Sequence, residues 1–555
     1  MLALCLARME RDATAGPRDR GGSPAAWPER DAAHLLVSGR QMQELEAQLF
    51  ETGLPVAALM EKAALAMVRT LLALGREPAA GNGVDFGRGV LVLAGPGHNG
   101  GDGLVVAREL AQAGIATRIW APFQRRKPLC EDHWRHASWL GLPQLKQPPD
   151  PADPALWVDA LFGVGQQRPL PEALQELFAR RHRCRPGRVV ALDVPSGLCS
   201  DRGTPLGDSA CRAALTLTIG LCKRGLIQDP ALAWVGRLER IDLGLPARLL
   251  ASLPADTPLA LSGEDIGAGP GPHPPAAASK YERGRLMVIA GSERYRGAAA
   301  LALRGALASG CGSLRACLPR ALCESLWLGM PEVVPEIALS GAADGSLQLE
   351  PLLPLLDDAG AWAGRLDALL IGPGIGPAPA AGAAASEGIW QALRRWPQLL
   401  VLDADGLNRL AARGEAAAWL SGRHGPTWLT PHPAEFGRLF PELRGAEPLE
   451  AAATAAGSSG AAILLKGARS VVAAPDGRRW QLRHASGAVA RAGLGDVLAG
   501  FSAGIGAQME TADAAHLAWA ALSHAEAGRH CAAAAGETTA SAVAGALARQ
   551  TRPKH

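Results

Sequence analysis

The stretch GVLVLAGPGHNGGDGLVVARELAQAG, residues 89–114, joins an apolar run to a helical pattern through a cluster of glycines. Its apolar run from Val90 to Ala94 is typical of a buried parallel strand, and the run after the glycines has helical periodicity. Strand, glycine-rich loop and helix in this order bring unpaired backbone N–H groups close to an anion at a helix start. Because a plain turn needs neither Asn99 nor Asp102, the segment predicts a binding site.

The same order of short apolar strand, polar loop and alanine-rich helix recurs on both sides of a stretch rich in proline and glycine. Such alternation predicts an α/β fold with two three-layer α/β/α domains. We expect a disordered N-terminal extension at 1–33, a first domain at 34–250, a linker at 251–279 and a second domain at 280–550. Ligands of such sheets bind at the carboxyl ends of strands, so polar residues at those ends are the candidates for function.

Composition and charge exclude several classes of protein. The 555 residues carry a net charge of +3, which is too small to argue for nucleic acid or a membrane surface as a partner. No apolar run approaches the roughly 20 residues that a membrane helix needs. The ten cysteines form no CxxC pair, which is typical of reduced thiols. We therefore expect a cytoplasmic protein that binds neither nucleic acid nor a membrane.

Polar side chains follow three strands of the first domain. Asn99 follows the first strand, Asp159 closes the second, and Asp193 and Ser196 lie in ALDVPSG after the third. Singly, each could cap a helix or stabilise a turn. Together, their oxygens predict a site for a cation of group I or II, or for sugar hydroxyls. A positioned carboxylate such as Asp193 also suits proton transfer.

The strongest feature of the second domain is AGLGDVLAG, residues 492–500. Gly493 and Gly495 precede a helix whose N–H groups can hold a phosphate, and Asp496 lies in its first turn. The structural alternative is a helix capped by aspartate. Lysine is scarce in this chain, so Lys466 at a strand end suggests that a compact ammonium group matters there.

Two more loops of the second domain contribute polar residues. LDADGLN contributes Asp403 and Asp405, and TPHPAE contributes His432 and Glu435. Because two prolines flank His432, its backbone is expected to be extended, which presents the imidazole ring instead of packing it. A structural role for this histidine stays open.

The first domain resembles the NAD(P)H-hydrate epimerases from Ser38 to Pro246. The motifs HNGGDG, DALFGVG and DVPSG occur in the family's order, and LMEKAALAM resembles its early helix. The resemblance implies a Rossmann-like domain that interconverts the R and S forms of NADH and NADPH hydrated at C6 of the nicotinamide ring. One departure is His98, where the family usually has asparagine.

The resemblance also implies roles for particular residues. Asp193 would be catalytic, and K⁺ would be the cofactor. The implied potassium ligands are Asn99, Asp159 and Ser196. The implied hydrate-binding residues are His98, Asn99, Gly100, Gly101, Asp102, Gly163, Val164, Gly165, Gln166, Gln167, Arg168, Pro169 and Asp193.

The second domain, from about residue 280 to 545, resembles the ADP- or ATP-dependent NAD(P)H-hydrate dehydratases, which have a ribokinase-like fold. It carries IGPGIG, LDADGL, TPHPAE, LLKGARSVV and GLGDVLAG in the family's order. The resemblance implies dehydration of the S hydrate with Mg²⁺ and ADP, Asp496 being catalytic. The implied hydrate-binding residues are Ala298, Gly374, His432 and Asp496. The implied nucleotide-binding residues are Lys466, Gly467, Ala468, Arg469, Ser470 and Gly495. Ser486 and Arg491 depart from the family's pattern.

We therefore expect a bifunctional repair enzyme in which an epimerase feeds the S hydrate to an ADP-dependent dehydratase, giving AMP and phosphate. Its partners would be the hydrates NADHX and NADPHX, ADP, and further copies of itself in a homo-oligomer. A ribokinase-like small-molecule kinase is one alternative, because a glycine-flanked aspartate before a helix serves such kinases equally well. A nucleotide-binding regulatory protein with one inactive domain is another, and His98, Ser486 and Arg491 keep it open.

Overall fold

The first half of the chain folds around a parallel sheet. The computed structural model describes residues 27–76, 84–356, 362, 364–377, 383–535 and 538–550. The strands of this half are β1 (Leu36–Val37), β2 (Val90–Ala94), β3 (Thr117–Trp120), β4 (Gln144–Leu145), β5 (Leu156–Ala160), β6 (Val189–Leu192), β7 (Leu215–Ile219), β8 (Cys222–Lys223) and β9 (Arg237–Ile241). Seven of them form one sheet in the order β4-β3-β2-β5-β6-β7-β9, and β1 pairs with β8. Each pairing among these named strands is parallel.

Helices cover this first sheet. They are α1 (Gly39–Glu51), α2 (Val56–Leu74), α3 (His98–Gln112), α4 (Pro128–Trp139), α5 (Glu172–Cys184), α6 (Leu232–Val235) and α7 (Ala247–Leu250). Strands β2, β5 and β6 are buried along their whole length, because helices pack on both faces of a parallel sheet. Their carboxyl ends are therefore the open places at which polar side chains can meet a ligand.

The second half contains a larger sheet. Its strands are β10 (Leu259–Leu261), β11 (Arg285–Ile289), β12 (Ser313–Pro319), β13 (Val334–Leu339), β14 (Ala368–Ile371), β15 (Leu399–Leu402), β16 (Thr427–Leu429), β17 (Ala462–Leu465), β18 (Val471–Ala473) and β19 (Arg479–Leu482). Their order is β10-β19-β18-β17-β16-β15-β14-β11-β12-β13. The pairings are parallel except those of β18, which runs antiparallel to β17 and β19. The predicted α/β fold is confirmed.

Helices also surround the second sheet. They are α8 (Arg296–Ala308), α9 (Arg320–Ser325), α10 (Leu353–Leu356), α11 (Ala383–Arg395), α12 (Asp405–Ala412), α13 (Ala416–Ser421), α14 (Pro433–Leu439), α15 (Pro448–Ser459), α16 (Leu494–Gly506), α17 (Ala514–Ala535) and α18 (Ala540–Gln550). Helix α16 packs on α8, α17 and α18. Among the described residues, no helix is both long and apolar enough to cross a membrane.

The glycines that were predicted to form a loop after β2 lie largely inside a helix, since α3 begins at His98. A Cβ on Gly95 would lie 1.7 Å from the carbonyl oxygen of Leu161, and one on Gly100 would lie 2.0 Å from that of Gly95. A Cβ on Gly103 would lie 2.4 Å from a β5 side chain. These glycines therefore allow α3 to approach the sheet closely, which explains much of the glycine content without a ligand.

The stretch predicted as an extended linker is partly regular structure. Strand β10 lies within residues 251–279 and pairs with β19, because the apolar side chains of Leu259 and Leu261 are buried there. Part of the predicted N-terminal extension also packs on this region. The indole N–H of Trp27 donates to the carbonyl of Asp265 at 3.0 Å. The predicted disorder therefore does not extend over residues 27–33, and residues 1–26 lie outside the described residues.

Candidate active sites

The first site is a cavity of about 490 Å³ at the carboxyl ends of β2, β5 and β6. A Cβ on Gly163 would lie 3.3 Å from the Cβ of Asn99 and 2.9 Å from Oδ2 of Asp193, so residues from all three strand ends meet here. The predicted residues that line the cavity are His98, Asn99, Asp102, Gly163, Val164, Gly165, Gln166 and Asp193.

Asp193 is the most tightly held polar residue of this cavity. Its Oδ1 lies 2.5 Å from Nζ of Lys223, and its Oδ2 accepts a hydrogen bond of 2.9 Å from the backbone N–H of Val164. The Lys223 side chain is 1% exposed, and its ammonium also donates to the Ile219 carbonyl at 2.6 Å. Asp193 has a φ of 65°, a strained conformation that tends to persist where the surrounding contacts require it. The ion pair and this hydrogen bond fix the Asp193 side chain at the cavity wall.

Some predicted hydrate-binding residues lie away from the cavity lining. Gly100 and Gly101 are buried in α3, where a Cβ on Gly101 would lie 2.8 Å from the thioether of Met60. The remaining three, from the loop after β5, are Gln167, Arg168 and Pro169. Hydrate contacts at these five positions stay predictions.

Asp159 and Ser196, two of the predicted cation ligands, are buried against each other. The Ser196 hydroxyl donates to Oδ1 of Asp159 at 2.7 Å, and the Ser196 backbone N–H donates to Oδ2 at 2.8 Å. Burial raises the pKa of Asp159, since these hydrogen bonds only partly offset the loss of water. The amide oxygen of Asn99, the third predicted ligand, is buried and has no hydrogen-bond partner. Such an oxygen needs a partner, and a cation would supply one.

Glu46 and Lys223 were not singled out from the sequence, yet both belong to this site. Glu46 on α1 lines the cavity, where burial raises its pKa while nearby Lys223 opposes that rise. Burial, with repulsion from Asp193 and Glu46, holds the pKa of Asp102 well above its ordinary value. The cavity therefore contains a carboxylate held in an ion pair beside two carboxyl groups whose pKa values are raised.

The second site is centred on Lys466, at the end of β17. Its Nζ lies 2.8 Å from Oδ1 of Asp403, which also accepts a hydrogen bond of 2.7 Å from the hydroxyl of Thr430. A Cβ on Gly495 would lie 3.5 Å from the same Nζ, so the glycine at the start of α16 faces the ammonium. Burial lowers the pKa of Lys466, but the carboxylates of Asp403 and Glu435 outweigh it and the net pKa is raised.

Asp496 is a buried acid in a cluster of acids. Burial, followed by repulsion from Asp403, raises the pKa of Asp496 to about 7, with Lys466 opposing the rise. A carboxyl group with a pKa near neutrality can accept a proton and release it again at physiological pH. Of the polar side chains in this site, Asp496 is therefore the best suited to proton transfer.

His432 is held in one orientation but remains accessible, its side chain being 48% exposed. Its Nδ1 accepts a hydrogen bond of 3.1 Å from the backbone N–H of Ala434, and its Nε2 lies 3.2 Å from Oε1 of Glu435. The Glu435 carboxylate in turn accepts from the His432 backbone N–H at 2.9 Å. These contacts form a capping box at the start of α14. Because Nδ1 accepts a hydrogen bond, a neutral His432 ring carries its proton on Nε2. The predicted exposure of the ring agrees with the structure.

Ala298 and Gly374, both predicted to contact the hydrate, lie together. A Cβ on Gly374 would lie 2.8 Å from the Cβ of Ala298 and 2.8 Å from that of Tyr295. Gly374 also has a φ of +67°, which favours glycine. Ala298 lies on α8, which packs on the helix that carries Asp496. The structure thus brings these two residues to one place, although no ligand contact is tested.

The predicted nucleotide-binding residues 466–470 form the loop between the antiparallel strands β17 and β18. A cavity of about 180 Å³ lies on one side of this loop. Five of the six predicted nucleotide-binding residues line it, namely Lys466, Gly467, Ala468, Ser470 and Gly495. Arg469 lines a different cavity, of about 190 Å³. Ser486 and the unanticipated His524 complete one wall of the first of these cavities, and burial lowers the pKa of His524 to about 4.

Comparison with known proteins matches both halves of the chain. A family model described as NAD(P)H-hydrate dehydratase matches residues 286–549, and one described as YjeF-related protein N-terminus matches residues 56–225. The bifunctional NAD(P)H-hydrate repair enzyme Nnr of Gloeobacter violaceus is 42% identical over 506 residues, which are 90% of this chain and 94% of that protein. The enzyme of the same name from a Synechocystis strain is 39% identical over 502 residues, covering 89% and 90%.

Among solved structures, the chain is similar to an ADP/ATP-dependent NAD(P)H-hydrate dehydratase from Bacillus subtilis co-crystallised with ATP and Mg²⁺. The two are 25% identical, and the match covers 52% of this chain and 96% of that one, with a TM-score of 0.42.

Proposed function

The chain belongs to the bifunctional NAD(P)H-hydrate repair enzymes, and we propose that the cavity of about 490 Å³ in the first half and the cluster around Lys466 and Asp496 in the second are its two active sites. The enzyme is an epimerase and a dehydratase in one chain. The names of its relatives favour this activity over the alternatives of a small-molecule kinase and a regulatory protein. The buried Asp193–Lys223 pair at the cavity of the first half, and Asp496 beside Lys466 in the second, carry the assignment of the chemistry.

In the epimerase site, Asp193 is the proposed base. Lys223 and the Val164 N–H hold its carboxylate in place at the cavity. When Asp193 accepts the proton of the C6 hydroxyl, the bond between C6 and the ring nitrogen can open and C6 becomes a trigonal aldehyde carbon. Return of the nitrogen to the other face, with the proton going back to oxygen, gives the opposite epimer. Glu46 or Asp102 can donate a proton to the nitrogen and recover it.

The proposed potassium ligands are Asn99, Asp159 and Ser196. The unpartnered amide oxygen of Asn99 and the buried carboxylate of Asp159 make an oxygen donor set that suits a hard cation. A bound K⁺ would supply positive charge near the Asp193 carboxylate. That charge would stabilise the C6 oxygen of the hydrate when it loses its proton. The chain's own part is to fix the amide of Asn99 beside Gly163, at the cavity wall.

We expect epimerisation to depend on potassium. Exchange of K⁺ for choline should slow conversion of the R hydrate, and Asn99→Ala should raise the K⁺ concentration for half-maximal activity at least about tenfold. The measurement is the epimerisation rate as a function of K⁺ concentration at constant ionic strength. Dehydration of purified S hydrate by the same preparation is the internal control. An unchanged potassium dependence in Asn99→Ala would show that this amide is not a ligand.

In the dehydratase site, hydroxide at C6 is a poor leaving group, and phosphorylation converts it into a good one. Asp496 is proposed to accept the hydroxyl proton while the oxygen attacks the terminal phosphoryl group of the nucleotide. The Lys466 ammonium and the N–H groups at the start of α16 stabilise the charge of the transferring group. Phosphate then leaves C6 with its bonding electrons, a proton leaves C5, and the double bond of NAD(P)H forms.

We propose ADP as the phosphoryl donor, giving AMP and phosphate. The cavity beside the loop 466–470 would hold the nucleotide, and Ala298, Gly374 and His432 would contact the hydrate. Mg²⁺ would enter with the nucleotide, since phosphates and one or two carboxylates are its usual ligands, and the carboxylates of Asp403 and Asp496 lie in this site. A bound Mg²⁺ would neutralise phosphate charge during transfer.

The dehydratase rate should depend on pH through Asp496. Its carboxylate is the base, and its pKa is raised to about 7, so protonation below that pH removes the active form. We expect kcat/KM for the S hydrate to fall about tenfold for each pH unit below about 6 and to level off above about 8. Initial rates at saturating ADP from about pH 4, near the ordinary pKa of aspartate, to about pH 9 measure it. A profile that is flat down to pH values near the ordinary pKa of aspartate would contradict this role.

We also propose, from the sequence, that the two domains span residues 34–250 and 280–550. A cytoplasmic location and a homo-oligomeric state stay proposals as well. The nine cysteines of the described residues are all free, which is consistent with a reducing compartment.

A further inference from the structure

A carboxylate of the epimerase half contacts the backbone of the proposed nucleotide loop. Asp229 accepts hydrogen bonds of 2.8 Å from the backbone N–H groups of Ala468 and Arg469. A Cβ on Gly467 would lie 2.6 Å from Oδ2 of Asp229, so no larger residue fits there without a shift. Two of the loop's N–H groups therefore have a partner from the other half of the chain before any nucleotide arrives.

Asp229 does not line the cavity of the proposed nucleotide site. The cavity that Gly495 lines includes Gly467 and Ala468 but not Asp229. Asp229 and Arg469 instead line the other cavity at this loop, of about 190 Å³. The carboxylate consequently does not occupy the position of a phosphate, and it leaves the nucleotide side of the loop open.

The segment that carries Asp229 is anchored in both halves. Within the epimerase half, the backbone N–H of Gly225 donates to the Ser200 carbonyl at 2.8 Å. Toward the dehydratase half, the Gln228 amide donates to Oε1 of Gln481 on β19 at 2.8 Å. The same segment begins at Lys223, the partner of Asp193. Its position is therefore set by buried contacts, and Asp229 presents a fixed acceptor pair to the loop.

We infer that Asp229 is a positioning residue that holds the loop 466–470 in its nucleotide-binding conformation, so that the epimerase half contributes to the ADP affinity of the dehydratase. A hairpin loop with glycine at its second position has many accessible conformations when its N–H groups are unpaired. Two hydrogen bonds to a charged acceptor restrict it before ADP binds, which lowers the entropy cost of binding. The inference rests on the proposed placement of the nucleotide at this loop.

The test compares Asp229→Ala and Asp229→Asn in the full-length enzyme. We expect Asp229→Ala to raise the KM for ADP about tenfold, with kcat and the epimerisation rate within about twofold of the unchanged enzyme. Asp229→Asn keeps one acceptor oxygen, so its KM for ADP should lie between those of the unchanged enzyme and Asp229→Ala. Glu450→Ala is the matched control, since Glu450 joins the halves through an ion pair with Arg224, 2.5 Å long, and not through the N–H groups of the loop.

The outcomes separate the inference from the proposed function. Gly495→Val fills the proposed phosphate position and should itself raise the KM for ADP. If it does so while Asp229→Ala leaves that KM unchanged, the positioning role is wrong and the nucleotide site stands. If Asp229→Ala and Glu450→Ala raise the KM for ADP equally, the effect comes from weaker contact between the two halves in general. The positioning role of Asp229 is then wrong. If Gly495→Val changes nothing, both the site and the inference are wrong.

Discussion

Asp496→Asn is expected to lower the kcat for dehydration of the S hydrate about 10³-fold, within the range that a positioned general base contributes. The substitution keeps the size of the side chain but removes the group that accepts the hydroxyl proton. It also removes one negative charge from a cluster that still holds Asp403, Glu435 and Lys466, so no buried cation loses its only partner. Single-turnover measurement with saturating ADP isolates the chemical step from nucleotide binding.

Epimerisation by the same Asp496→Asn protein is the control for folding and should be unchanged. Asp476→Asn is the matched substitution in the same half, since Asp476 is an exposed partner of Arg478 and not part of the site. Epimerisation and dehydration should both be unchanged in Asp476→Asn. Dehydration by Asp496→Asn at more than about a tenth of the original rate would exclude Asp496 as the base.

Asp193→Asn is expected to lower the epimerisation rate about 10²- to 10⁴-fold and to leave dehydration of purified S hydrate intact. The amide cannot accept the hydroxyl proton, and the Lys223 ammonium, whose side chain is 1% exposed, loses its counterion. The second effect also destabilises the fold, because a buried unpaired charge costs about 3–5 kcal/mol. The rate of R-to-S conversion, monitored by separating the two epimers, measures the loss of the proton acceptor.

The double variant Asp193→Asn, Lys223→Met separates catalysis from stability. Removing both charges should restore much of the thermal stability that the single variant loses, because neither partner is left unpaired in the interior. Epimerisation should nevertheless stay at the level of the single variant. If the double variant regains activity together with stability, Asp193 holds the structure and is not the base.

The sequence predicted well those site residues that follow strands of a parallel sheet. Asn99, Asp159 and Asp193 lie at the ends of three strands, and β5 pairs with both β2 and β6, so their convergence follows from the topology. The sequence also singled out Lys466 and Asp403, each after a strand, and the structure joins the two side chains directly. In these cases the periodicity of the strands was sufficient.

Other features could not be read from local patterns. Gly100 looked like part of a ligand loop, yet close packing of α3 on the sheet accounts for it. Glu46 reaches the first cavity from a helix outside the quoted motifs, and only tertiary structure brings it there. Lys223 did carry a signal, because the chain has seven lysines and the argument from scarcity used for Lys466 applies to it equally. Nothing in the sequence indicates that Asp229 contacts the second half, since docking of two domains depends on their surfaces.

The central claim is that one chain repairs both epimers. The most direct test adds the full-length enzyme to a mixture of R and S hydrates of NADH with Mg²⁺, K⁺ and ADP, and follows the return of dihydronicotinamide absorbance. We expect recovery of the whole hydrate pool at enzyme-dependent rates, with AMP and phosphate formed in proportion. Recovery that stops at the S fraction and then follows slow spontaneous epimerisation would contradict an active first site, and no recovery with ADP or ATP would contradict the dehydratase site.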